Sequence, residues 1–144
     1  MKKSPLKKQS KLPTSKAKRL LLEDVKKLVR ESGKCAAWDQ GGKHCGGVMQ
    51  ASHIKSEGAY KNLFVDPNNI LPMCWVHHFF WWHKEPTEAG EWLKKKFPFR
   101  YEYLEWAKKE HVDWTLDLIA SLRAATKKDL GSYIKVYAKL TNPR

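Results

Sequence analysis

The stretch Asp66-Pro67-Asn68-Asn69-Ile70-Leu71-Pro72-Met73-Cys74-Trp75-Val76-His77-His78 decides how this chain is read. It closes a loop rich in Gly, Asn, Asp and Pro over residues 56–68. A short apolar run, Ile70 to Met73, follows and is interrupted by Pro72. The run ends in a cysteine with two histidines close behind. From Trp75 to Lys84 there is no Gly or Pro, which is compatible with a helix. Upstream, Val48, Gln50, Ser52 and Ile54 alternate with Met49, Ala51, His53 and Lys55, and the alternation predicts a strand over 48–55. In chain order the region supplies His53, Asn69 and His78.

Cysteine and histidine usage points the same way. There are three cysteines, Cys35, Cys45 and Cys74. An odd number without a secretory leader argues against a disulfide framework. Three cysteines with a histidine nearby suit a tetrahedral zinc site. Of the six histidines, His44, His53, His77, His78 and His83 interleave with the cysteines, and only His111 lies apart.

Ala51-Ser52-His53, Asp66 to Asn69 and Cys74-Trp75-Val76-His77-His78 together resemble the HNH, or ββα-metal, nucleases. Trp81 to Lys84 and Trp92 to Leu104 extend the likeness to phage proteins grouped with the NinG-type recombination nucleases. It spans roughly residues 34–106. The resemblance implies an α+β fold: a small zinc-stabilised ββα-metal core with additional helices at both ends. It also implies a structural zinc on Cys35, Cys45, Cys74 and His77. Trp38 stands where the family often has its second cysteine; Cys45 is the substitute, with His44 as the other candidate. His77 occupies the place of a later cysteine, and His77 and His78 could exchange roles. Ser52 stands where many members carry an Asp or His metal ligand.

The activity implied is metal-dependent hydrolysis of DNA phosphodiester bonds, leaving 5′-phosphate and 3′-hydroxyl ends. His53 would be the general base, since imidazole exchanges protons near neutral pH. Asn69 would fix the loop and orient His53, with Asn68 as competitor for that role. His78 would hold a catalytic divalent ion (Mg²⁺, Mn²⁺ or Ni²⁺). His83 is a further candidate ligand, although five residues turn an ideal helix about 500° and do not share a face cleanly. The setting implied is phage recombination, replication or genome processing, hence the bacterial host cytoplasm. A catalytically inert zinc module that binds nucleic acid is the alternative, and Ser52 keeps it open.

Outside this block the sequence predicts helices. One covers 20–32, with Leu21, Val25, Leu28 and Val29 at helical spacing and Gly33 as its stop. Pro86 ends or bends the 75–84 segment, and Thr87 is a candidate cap for a helix running to Lys96. Helices follow over 99–110, 113–125 and 127–140, the last organised around Leu130, Ile134, Tyr137 and Leu140. The domain reading is a disordered basic arm over 1–19, a nuclease domain with its N-terminal helix over 20–98, and a helical extension over 99–144. The aromatics Trp75, Phe79, Phe80, Trp81 and Trp82 read mainly as core, with base stacking as the other option.

Charge favours a polyanionic partner. Across 144 residues, 28 Lys and Arg oppose 15 Asp and Glu, a net +13. Residues 1–19 carry eight of the cations and no acid, which leaves +5 for the remainder. DNA is the partner expected, with Lys55, Lys84 and Arg100 as candidate phosphate contacts. The same arm permits an RNA-binding zinc protein. The 42% hydrophobic content excludes global disorder, and no apolar run is long enough to span a membrane. Monomer and homodimer remain equally open.

Overall fold

Strand β1 (Met49–His53) pairs antiparallel with β2 (Ile70–Cys74), with Met49 opposite Cys74 and His53 opposite Ile70. This two-stranded sheet is the hub of a computed structural model that describes residues 14–141. Joined to it by loops are the helices α1 (Thr14–Glu31), α2 (Trp75–His77), α3 (Pro86–Lys96), α4 (Pro98–Ala107), α5 (Leu116–Thr126) and α6 (Leu130–Thr141). The fold is therefore α+β, as the sequence implied.

Pro72 sits inside β2 opposite Ala51. In a two-stranded sheet both strands are edges, so a missing N–H is tolerated there. The Pro72 carbonyl accepts a hydrogen bond from Ala36 N–H at 2.8 Å, which ties the segment after Cys35 to the hairpin.

Helix α1 begins at Thr14, six residues inside the stretch read as a disordered arm; the rest of that arm lies outside the described residues. Ala17 joins Leu21, Val25 and Val29 on the buried face, so the apolar stripe starts one turn earlier than expected. That face packs with Val65, Ile70, Ile119, Leu122, Tyr133 and Tyr137 in one core. A second core gathers Cys35, Leu71, Met73, Cys74, Trp81, Trp92 and Leu93 under the hairpin. Leu63, Leu104 and Ala107 form a third, smaller cluster. Residues read as a C-terminal extension thus contribute to two of the three cores.

Several boundaries differ from expectation for identifiable reasons. Glu85 precedes α3 and Pro86 is its first residue, where the absent N–H is harmless; Thr87 lies within the first turn rather than capping it. Thr115 caps α5, its side chain accepting from Leu118 N–H at 3.1 Å. On α6 the buried pair is Tyr133 and Tyr137, while Ile134 and Leu140 are exposed. Tyr133 wins the interior because its hydroxyl finds an acceptor there, the Val65 carbonyl at 2.7 Å. The helix expected over 75–84 is broken: α2 gives way to a π-helical turn over His78–Trp82.

Candidate metal centre and histidine cleft

The three cysteines and His77 converge. One ligand atom from each of Cys35, Cys45, Cys74 and His77 lies within 4.8 Å of all the others. Cys74 ends β2 and its sulfur accepts from His77 N–H at 3.4 Å, so the strand-to-helix turn places both ligands. Cys35 and Cys45 arrive on a loop stitched to the hairpin by Val76 N–H to the Gly46 carbonyl (3.1 Å) and Trp75 N–H to the Val48 carbonyl (3.0 Å). Two loop positions require glycine. Gly41 has φ +65° and a Cβ there would come 2.3 Å from the Trp81 ring; Gly47 has φ +75° and would meet Trp75 Cβ at 2.7 Å.

The donor set fits a tetrahedral metal ion such as zinc. His77 directs Nδ1 at the sulfurs, 3.1 Å from Cys74 Sγ and 3.6 Å from Cys45 Sγ. Its Nε2 donates to the Gln40 carbonyl at 3.1 Å, which fixes the tautomer and leaves Nδ1 as the ligand atom. Burial pushes the Cys35 thiol up. Desolvation, with hydrogen bonds to its neighbouring thiols and their like charge, pushes Cys45 to about 12. Burial also opposes ionisation of Cys74, but hydrogen bonds from the backbone of His77 and Gly46, the His77 ring and Cys45 outweigh it and bring that thiol to about 6. Three thiols held this close oppose one another's ionisation, and a bound cation would offset that like charge.

A second group lines a cleft of about 640 Å³ that includes Lys26, His53, Lys55, Glu57, His78, Trp82 and His83. His53 Nε2 lies 2.8 Å from the Phe64 carbonyl, which can only accept, so Nε2 carries the proton and Nδ1 the lone pair. Glu57 Oε2 is 3.7 Å from the same nitrogen. Asn69 is fully buried and uses its whole amide. Its Oδ1 accepts from Lys55 N–H at 2.8 Å, and its Nδ2 donates to the carbonyls of Lys55 (2.9 Å) and Leu63 (3.0 Å). It thus joins the end of β1 to the segment that presents the Phe64 carbonyl to His53. Asn68 makes a different contact, its N–H donating to Asp66 Oδ1 at 2.9 Å.

His78 is held from the strand side. Its Nδ1 donates to Gln50 Oε1 at 2.5 Å, which leaves Nε2 unprotonated. Nε2 then faces His83 Nε2 at 2.9 Å. The π-helical turn makes this pairing: His83 N–H bonds to the His78 carbonyl at 3.2 Å, so five residues close one wide turn and the two rings come together. With His78 Nε2 bare, a proton on His83 Nε2 can be donated to it across that distance. Burial, and then the nearby rings of His83 and His53, hold the His78 imidazole down at about 4, so it is neutral and able to ligate at physiological pH.

The remaining candidates are placed differently. Ser52 is buried, its hydroxyl has no partner, and it does not line the cleft. Lys55 is in the cleft but paired, its Nζ 2.7 Å from Glu105 Oε1. Arg100 is half-buried, donating to the Asn68 carbonyl at 3.4 Å over the Phe97 ring. Lys84 is exposed. His44 is exposed and outside the metal cluster. The sequence reading missed Gln50, Lys26 and Glu57; Gln50's alternating position in β1 was its only signal.

No protein-family model matches this chain, and neither a curated protein nor a solved structure matches it. No helix among the described residues is long and apolar enough to cross a membrane.

Proposed function

We propose that the chain is a metal-dependent DNA endonuclease of the HNH type, with the hairpin and the helix after it as its ββα core and zinc as its structural ion. The observation that carries this reading is the division of labour among three histidine rings in one cleft. His53 keeps an unprotonated Nδ1 while its Nε2 is tied to a carbonyl, and His78 and His83 turn their Nε2 atoms on one point.

In this reading His53 Nδ1 takes the proton from a water aimed in line at phosphorus. The Phe64 carbonyl stabilises the imidazolium that forms, because it already accepts from Nε2–H. Asn69 holds that geometry through the backbone on both sides of His53 and Phe64. His78, with His83, would hold a divalent cation (Mg²⁺, Mn²⁺ or Ni²⁺), whose charge would stabilise the phosphorane-like transition state and the departing 3′-oxygen. Gln50 keeps His78 in the ligating tautomer. Lys26, in the cleft wall, supplies a cation for the DNA backbone. A phage or prophage setting in recombination, replication or genome processing rests on the sequence resemblance.

A catalytically inert nucleic-acid-binding zinc module is the second reading, and Ser52 favours it, because a buried serine contributes no ligand to the cleft. Plasmid cleavage with each divalent cation separates the two. The endonuclease reading expects nicking or linearisation that disappears in His53→Ala while zinc content and melting temperature are retained. DNA retention without cleavage by the wild-type protein would establish the inert module instead.

A further inference from the structure

The aromatic run after Cys74 divides into two sets. Trp81 is buried and packs edge-on against Trp92, their centroids 5.3 Å apart. Trp75 and Phe79 remain 39% and 48% exposed, yet they are ordered relative to each other: their centroids are 5.7 Å apart and their planes 5° from parallel. Phe80 stands edge-on to both, at 5.0 and 5.1 Å. The Gly47 backbone backs Trp75, since even a Cβ at that position would come within 2.7 Å. Lys84 places its ammonium 5.6 Å from the Phe79 centroid and 5.2 Å from that of Phe80.

Ordered, parallel, half-exposed rings are not explained by core formation, because two buried cores on the same hairpin already hold the neighbouring aromatics. An exposed aromatic cluster of this kind marks a binding surface. Its chemistry is a set of aromatic rings with a cation over two of them, which matches a nucleobase and its phosphate. A paired base hides both faces in the duplex stack, so only unpaired bases can occupy the rings. Lys84 at the rings, on a chain whose residues 20–144 carry a net +5, complements the phosphates of such a strand. Phe79 directly follows His78 and Lys84 directly follows His83, so the rings ride on the same turn as the cleft histidines.

We propose that Trp75 and Phe79, with Lys84, form a stacking platform for unpaired nucleobases of single-stranded DNA. This rests on the endonuclease reading only where it assigns the substrate class: DNA with unpaired bases rather than uniform duplex.

The test is fluorescence anisotropy of a labelled oligo-dT and a duplex of equal length, with zinc-loaded full-length protein and no added divalent cation. Phe79→Ala is expected to weaken oligo-dT binding about tenfold, the scale of one lost stacking partner, and to leave duplex binding unchanged. Phe79→Tyr keeps the ring and is expected to restore the affinity. Lys84→Ala is expected to weaken oligo-dT binding and lower its salt slope by about 0.7. Unchanged oligo-dT affinity in Phe79→Ala, or equal loss for single strand and duplex, would overturn the platform. So would sedimentation showing a wild-type dimer that Phe79→Ala dissociates while oligo-dT affinity stays constant, which would make the patch a self-association face. Plasmid cleavage run in parallel separates the two proposals: Phe79-dependent oligo-dT binding by a protein that cuts nothing sinks the endonuclease and leaves the platform.

Discussion

His78 and His83 present their Nε2 atoms to each other at 2.9 Å although five residues separate them. An α-helix would carry the second ring well past the first. The backbone instead widens into a π-helical turn over His78–Trp82, closed by the bond from His83 N–H to the His78 carbonyl. Such turns are rare and recur at functional sites. Here the turn brings together two rings whose spacing looks unfavourable in sequence.

Gln50 controls which nitrogen of His78 carries the proton and which faces His83, the pair proposed above as metal ligands. Its Oε1 accepts from Nδ1–H, and without it the proton is free to move to Nε2. Gln50→Ala is expected to weaken Mn²⁺ binding about 10- to 100-fold, as for other partners of metal-binding histidines. Gln50→Glu retains an acceptor and should bind like the wild type. Isothermal titration of zinc-loaded protein with Mn²⁺ reads both variants.

Asn69 and Asn68 are neighbours with unequal consequences. Asn69→Ala strands the Lys55 N–H and the Lys55 and Leu63 carbonyls in a buried setting. A loss of at least ~2 kcal/mol in urea unfolding is expected. The side chain of Asn68 bears no comparable set of bonds, and Asn68→Ala should remain within about 0.5 kcal/mol of wild type. A reversed order would show that the wrong asparagine anchors the loop.

Glu105 binds both Lys55 and Lys108, and hydrogen bonds from Lys108 and then Lys55 hold its carboxyl down at about 2, against an ordinary 4.5. A carboxylate lowered in this way contributes stability above its ordinary pKa, and the contribution fades as pH falls from 4.5 towards 2. Glu105→Gln should therefore melt about 1–3 °C lower at pH 7, a gap that closes over that acid range. The same variant releases Lys55 towards the cleft. Its DNA affinity should rise and its salt slope steepen by about 1.

The metal centre predicts a dependence on zinc itself. Cys74→Ser removes the ligand that joins β2 to α2, and elemental analysis of the purified variant should find no stoichiometric zinc. The melting temperature of the wild type should fall on chelation and recover on adding zinc back. Wild-type protein that is folded and zinc-free after extensive chelation, with an unchanged melting temperature, would remove the structural role.

Much of this was legible in the chain because the signals are local. The alternation before His53 marked β1, the apolar spacing of Leu21, Val25 and Val29 marked α1, and Cys74 and His77, three residues apart, marked half of a metal site. The choice of Cys45 over His44 and of His77 over His78 was not readable there, and the cluster in space makes it. Local patterns misjudged α6: Ile134 fits the spacing as well as Tyr133 does, and only a distant carbonyl at Val65 chooses between them.

By itself, then, the sequence marked the strand before His53, the helical stripe of α1, and a surplus of cysteines and histidines suited to a metal; the α+β class and the four zinc ligands came from the resemblance. The strand and the stripe follow from periodicity, and the metal from residue chemistry, over short spans. Tertiary structure alone decided that Cys45 joins Cys74 across 29 residues, that Gln50 fixes the tautomer of His78, and that Glu105 neutralises Lys55. It also decided that His83 turns back onto His78. Each of these depends on the direction of one hydrogen bond or ring in space, and packing between distant segments sets that direction.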